Sequence, residues 1–188
     1  YIKQRNMKTY KPICVILLLI ISMAAFIPQA SAQPKEEFAL QKGDLLFQDL
    51  DCGPLCEAIE KVTTGYKGAH LSHVGIVDKG ADGEWIVIEA ISPGVKTTPL
   101  DTFLARSKDY EGNPKVLVGR LKESHQDIIP LALDLSRKLL KKPYDKIYDM
   151  KADAYYCSEL IYDVFMLANE RRPVFQLQPM TFKDPETD

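Results

Sequence analysis

Two short apolar runs with a period of two, "LSHVGIV" at 71–77 and "EWIVIEAI" at 84–91, flank the turn-forming stretch "DKGADG". Runs of this length, rich in Val and Ile around a Gly/Asp cluster, specify an antiparallel hairpin. A hairpin fixes which side chains share a face. On 73–77 these are His73, Gly75 and Val77; on 85–91 they are Trp85, Val87, Glu89 and Ile91. A three-residue loop at Gly80–Ala81–Asp82 pairs Lys79 with Gly83 and sets Glu89 directly opposite His73. A two-residue Asp82–Gly83 turn gives a register of the other parity and separates the pair. The sequence permits both. The first is preferred because it gives a buried imidazole and a buried carboxylate each other as partners, where an isolated buried charge is costly.

The remaining segments build around this hairpin. "QKGDLLFQDL" predicts a turn and a strand near 43–48. "GPLCEAIEKVTTG" predicts a helix with Pro54 at its first position and Gly65 past its end. "GVKTTPL" and "NPKVLVGRL" read as strands, and "LDTFLARSK" as a short helix. Leu131, Leu135 and Leu139 recur at i+4 and predict a helix over 124–142, with Pro130 near its start or kinking it and Pro143 closing it. A last helix begins at Cys157, with Leu160, Ile161, Val164, Phe165 and Ala168 on the same face. The tail 171–188, with three prolines, reads as loop. This pattern predicts an α+β fold, a small antiparallel sheet with helices packed on it.

The N-terminal part has a different character. Lys8 and Lys11 follow Met7, residues 13–27 are apolar but too short to span a bilayer comfortably, and "ASA" at 30–32 offers small residues for cleavage. Residues 1–32 therefore read as upstream residues and a secretory signal peptide cut after Ala32, with residues 1–6 lying before the initiator Met7. The expectation is one domain over 33–188, periplasmic or secreted, with no transmembrane segment in the mature chain. Residues 1–32 hold four of the 24 Lys/Arg and none of the 26 Asp/Glu, which leaves 20 basic against 26 acidic side chains, a net charge of −6. That balance argues against binding nucleic acid or anionic lipid by charge.

Cysteine use carries the chemistry. Cys14 leaves with the signal peptide, and Cys52, Cys56 and Cys157 remain. In an oxidising compartment an odd count leaves one thiol over. If Cys52 and Cys56 pair, that thiol is Cys157. Cys52, Cys56, His70 and His73 also loosely mimic a zinc spacing, although the two histidines stand one residue too close. Cys157 is open to four readings: core filler, disulfide partner, metal ligand or nucleophile. In the first turn of a helix the macrodipole and unpaired N–H groups favour the thiolate, which is the reactive form. An imidazolium at His73 would favour it further, and Glu89 would hold that imidazole. This is the nucleophile–base–orienter arrangement of cysteine hydrolases acting through a thioester acyl-enzyme. Plainer roles compete. His73 can be a satisfied core histidine and Glu89 a strand-end carboxylate. Asp44 serves its turn, His70 lies in a loop near the cleft, and His125 sits in a helix first turn at the surface. Tyr144, Tyr148, Tyr155 and Tyr156 line a cleft or pack around the last helix.

"KGDLLF", "LSHVGIV", "WIVIEA" and "KPYDKIYDMKADAYYCSELIYDVF", in that order over residues 42–170, resemble the permuted papain-like amidases of the YiiX type. These are circularly permuted relatives of NlpC-type cysteine peptidases and distant cousins of lecithin–retinol acyltransferase. The resemblance implies a permuted papain-like fold in which the His strand precedes the Cys helix. It implies Cys157 as nucleophile, His73 as base and Glu89 as third member, with no cofactor and no metal. The implied substrate is a small peptide or N-acyl compound, a cell-wall fragment by default. The alternatives are an acyltransferase or lipid-amide hydrolase, and a non-catalytic binding module. "CGPLC" is not part of the family pattern.

Overall fold

Alternation along the strands divides the apolar side chains between two faces of one sheet. In the computed structural model, which describes residues 38–63, 65–150 and 153–178, the strands are β1 (Leu45–Gln48), β2 (His73–Lys79), β3 (Trp85–Ile91), β4 (Gly94–Pro99) and β5 (Val116–Gly119). Their order is β4-β3-β2-β1-β5, and every neighbouring pair is antiparallel. The helices among the described residues are α1 (Pro54–Val62), α2 (Leu100–Ala105), α3 (Ile129–Lys138) and α4 (Cys157–Ala168). Leu45, Val74, Ile76, Ile88 and Ala90 pack on one face against α3 and α4. Leu46, Val77 and Val87 pack on the other against Phe103 of α2. The α+β expectation holds, with the Cys157 helix packed on the sheet. The signal-peptide reading of 1–32 and the end of the tail, 179–188, lie outside the described residues; 171–178 contain no helix or strand.

Two expectations need correction. The β2–β3 loop has five residues, Gly80–Glu84, and closes Lys79 against Trp85, so Glu89 stands opposite Gly75 rather than His73. The wider loop is held by Gly80 N–H to Glu84 O at 2.9 Å, and Glu84 N–H to Asp82 Oδ1 at 3.1 Å. The Lys79 ammonium lies 3.7 Å above the Trp85 ring and covers the closing pair. A shift of two residues preserves parity, so His73 and Glu89 remain on one face as diagonal neighbours. The helix expected over 124–142 is also shorter. A 3₁₀ turn at Glu123–His125 precedes α3, and Pro130 falls in the first turn of α3, where a missing N–H is tolerated. The helix ends well before Pro143, and Lys141 takes a φ of 73°. The cause is pairing with the sheet edge: Lys141 N–H donates to Val95 O and Val95 N–H to Lys142 O, both at 2.8 Å. Leu131 is left exposed, and Ala132, Leu133 and Ser136 form the buried face.

That edge pairing positions the last helix. Tyr144 N–H donates to Pro93 O at 2.9 Å, and Tyr155 N–H to Pro143 O at 3.0 Å. A parallel bridge joins Tyr144 and Tyr155. The chain entering α4 is thus tied through Pro143–Asp145 to the beginning of β4. Gly94 makes the approach possible, because a Cβ there would lie 2.2 Å from Lys142 O. Gly94→Ala is expected to cost about 1–3 kcal/mol in urea denaturation and to slow alkylation of Cys157 in the remaining folded protein. Unchanged stability and unchanged alkylation would show that this tie does not place the helix.

Candidate active site

Cys157 is the first residue of α4, after Tyr156 in extended conformation at the N-cap. First-turn N–H groups have no intrahelical acceptor, and the helix presents its positive end there. The thiol is free and half-buried, and the N–H groups of Val74 and Ser158 donate toward its sulfur. His73 opens β2. Its predecessor Ser72 is fixed by N–H donation to Gln48 O at 3.0 Å and by its Oγ accepting from Leu50 N–H at 3.0 Å. By alternation His73 belongs to the α2 face and Val74 to the α4 face. The imidazole and the thiol therefore meet around the beginning of the strand, where they hydrogen-bond.

His73 Nε2 lies 2.7 Å from Glu89 Oε2, which leaves Nδ1 to serve the sulfur. Glu89 is fully buried and takes more than this one bond. Arg106 binds it as a fork, Nη1 to Oε2 at 2.7 Å and Nη2 to Oε1 at 2.5 Å, and Thr98 Oγ1 donates to Oε1 at 2.5 Å. Phe103 sits between the two cations, 5.9 Å from the His73 ring and 5.2 Å from the Arg106 guanidinium. Gly75 makes the diagonal reach possible, since a Cβ there would stand 2.4 Å from Val87 Cγ1 and 3.3 Å from Glu89 Cβ. Arg106, Thr98, Phe103 and Gly75 were not anticipated. A count of the partners that a buried carboxylate requires points to a further cation, and Phe103 and Arg106 share a face of the "LDTFLARSK" helix at i, i+3.

The charges alternate along Cys157, His73, Glu89 and Arg106. Burial pushes the His73 pKa down, but the bonds to Cys157 and Glu89 outweigh it and raise it to about 9. Burial opposes ionisation of Glu89, but the Arg106 fork and the His73 bond hold its pKa at about 2. Burial also opposes the Cys157 thiolate, yet His73 and the two N–H donors bring that pKa below the ordinary 9.0. Both shifts act in the same sense, toward a thiolate–imidazolium pair and away from the neutral thiol and imidazole. Glu159, in the first turn of α4, is pushed up to about 7 by burial, with Asp163, Asp145 and Asp149 adding repulsion, so it supplies no comparable fixed charge.

Above Cys157 lies a cavity of about 340 Å³, with Phe47, Leu71, Val74, Leu117, Tyr144 and Tyr156 in its wall. Helix α1 contributes Ile59, and Thr63 just past its end also lines the space; a Cys52–Cys56 disulfide fastens the start of that helix. The disulfide consumes both thiols of the loose zinc spacing, and His70 stands exposed, 3.7 Å from Glu60. Among the described residues no group of three or more His, Cys, Asp or Glu could hold a metal ion. Asp44 serves its turn as expected, accepting from Gln41 N–H at 2.7 Å, and also pairs with Arg120.

Residues 39–188 match the family model described as permuted papain-like amidase enzyme, YaeF/YiiX, C92 family. The chain belongs to that family. It is 30% identical over 152 residues to the uncharacterized protein YiiX of Escherichia coli strain K12, covering 80% of this chain and 67% of the relative. Its fold is similar to the crystal structure of metalloprotein YiiX from Escherichia coli O157:H7, with a TM-score of 0.54 and 28% identity over 70% of this chain and 67% of the other. The permuted papain-like fold expected from the ordered motifs is the fold of the family.

Two measurements check the electrostatics. Iodoacetamide labelling of Cys157 should rise with a midpoint well below pH 9 and change again near pH 9 as His73 loses its proton; one ordinary thiol midpoint would refute the pair. Arg106→Gln leaves a buried carboxylate short of its fork and should cost about 3 kcal/mol at neutral pH. Glu89's depressed pKa gives stability present above pH 4.5 and lost as pH falls through about 2. In Arg106→Gln the folded-state pKa of Glu89 rises toward 4.5, so that acid loss should be smaller and complete at higher pH, with Arg106→Lys intermediate, as read by urea denaturation across pH. An unshifted acid limb would show that the fork does not set the ionisation of Glu89.

Proposed function

We propose that the chain is an exported cysteine amidase in which Cys157 is the nucleophile, His73 the general acid and base, and Glu89 the group that orients His73. The observation that carries this reading is the hydrogen-bonded Cys157–His73–Glu89 series at a helix N-terminus, opening onto a cavity large enough for a small ligand. The Cys157 thiolate attacks the amide carbonyl carbon, and the oxyanion forms beside the Cys157 N–H. The C–N bond breaks as His73 transfers its Nδ1 proton to the leaving amine, which leaves a thioester. His73 then takes a proton from water, the hydroxide adds to the thioester carbonyl, and the acid departs with return of the thiolate–imidazolium pair.

The Cys52–Cys56 disulfide supports export, since such bonds persist in oxidising compartments. The E. coli O157:H7 neighbour is described as a metalloprotein. The described residues of this chain do not fit a resident ion. Two thiols are bonded to each other, and His73 is committed to Glu89 and Cys157, so no step is routed through a metal.

Cys157→Ala should abolish amide hydrolysis while leaving the denaturation midpoint within about 1 kcal/mol of wild type. Mass spectrometry of wild type quenched in acid should detect an acyl adduct on Cys157. Retained turnover in Cys157→Ala would overturn the assignment. Fractionation should place the protein outside the cytoplasm with Cys52 and Cys56 oxidised; a cytoplasmic, fully reduced protein would overturn the export reading.

A further inference from the structure

The lining of the cavity says which half of an amide it receives. Among the described residues that line it, no Asp, Glu, Lys or Arg faces the space, so no charge is offered there beyond the Cys157–His73 pair itself. Thr63, Ser72 and Ser158 bring neutral hydroxyls; the rest of the wall is mainly the hydrocarbon of Phe47, Ile59, Leu71, Val74 and Leu117, with four tyrosine rings completing it. A cell-wall peptide brings carboxylates and free amines, and its recognition requires countercharges aimed at them. This wall offers none. An apolar chain loses contact with water here and meets aliphatic and aromatic carbon.

A second cavity, of about 460 Å³, adjoins the first: Phe47, Thr63, Val74, Tyr156 and Ser158 line both. It runs on past Ile161 and Phe175 to Leu177, which is exposed between Gln176 and Gln178, so the far end opens to solvent. Glu159 is the one acidic side chain on this second wall, and it is itself buried.

We infer that this site takes the acyl half of an N-acyl amide whose acyl group is an aliphatic chain, seated in the first cavity and extended along the second. The inference rests on the amidase reading and names its substrate class. The carbonyl lies at Cys157 Sγ, the chain runs across Phe47, and the amine leaves on the side of His73.

The test is the dependence of kcat/KM on chain length for acetyl, hexanoyl and dodecanoyl amides of one fluorogenic amine, set against a muropeptide. Each methylene that enters the first cavity should raise kcat/KM roughly fourfold, with dodecanoyl the best of the series. Ile59→Glu should lower the dodecanoyl value far more than the acetyl value and so flatten the profile. Highest activity on the acetyl amide or the muropeptide would overturn the acyl inference and leave the amidase reading standing. Should no amide be cleaved and no adduct form on Cys157, the amidase reading fails. The groove is then judged by calorimetry of Cys157→Ala with dodecanoate: micromolar binding weakened by Ile59→Glu upholds it, and no binding overturns it.

Discussion

The bond between Glu89 and Arg106 is the constraint on which the rest of the site depends. A carboxylate with no exposure to water stays ionised only if it is paired and fully hydrogen-bonded. His73 and Thr98 supply part of that; the guanidinium fork supplies the remainder on both oxygens. With Glu89 ionised, an imidazolium at His73 has a partner in the interior, and with that imidazolium a thiolate at Cys157 has one too. The order of cause runs inward to outward, from α2 through the sheet to the helix mouth. Arg106 lowers the field that Glu89 exerts on His73, yet without it the carboxylate would favour protonation and exert little field at all.

The permuted order of the chain places a demand on the connection that a sheet-first reading does not reveal. His73 and Glu89 come early and belong to one hairpin, so their relation is local. Cys157 comes late, and its helix lies against the other face of the sheet. Packing of Leu160, Ile161, Val164 and Phe165 fixes how far α4 sits from the sheet but leaves its position along its own axis less determined. The backbone ties from Lys141 to Tyr155 onto the beginning of β4 supply that axial position, and they require Gly94. An error of one residue in this tie would turn Cys157 away from His73 by about 100° around the helix.

Much of this was legible in the residues, and the parts that were not share a cause. Strand alternation gave the common face of His73 and Glu89 correctly even though the loop length was misjudged, because a register error of two residues conserves parity. The stripe of α4 is legible in the residues because its buried face, from Leu160 to Ala168, is continuous. The helix expected over 124–142 is longer than α3 because the leucine stripe runs on to Leu139; Leu135 and Leu139 do pack on the core while Leu131 stays exposed, and edge pairing with β4 outweighs the helical preference of 139–142. Arg106 and Thr98 escaped because they belong to elements whose own patterns are unremarkable. Their role appears only when the needs of a buried carboxylate are counted across the fold, as does the need for glycine at positions 75 and 94.

The apolar cavity and the charged chain beneath it meet one physical requirement. A thiolate–imidazolium pair is favoured over its neutral form by hydration and by fixed charges. An aliphatic acyl group filling the cavity would remove much of that hydration at the moment of attack, which by itself would return the proton to sulfur. Glu89, held ionised by Arg106 and out of reach of solvent, keeps its hold on His73 whether or not the cavity is wet. A cysteine site that relied on water to maintain its ion pair would lose reactivity with an apolar substrate; one that carries its counter-charges inside the protein retains it and gains strength from the lower local dielectric. The Arg106–Glu89 pair, with its carboxylate fully buried, is therefore the arrangement that the proposed amidase would need if its substrate covers Cys157 with hydrocarbon.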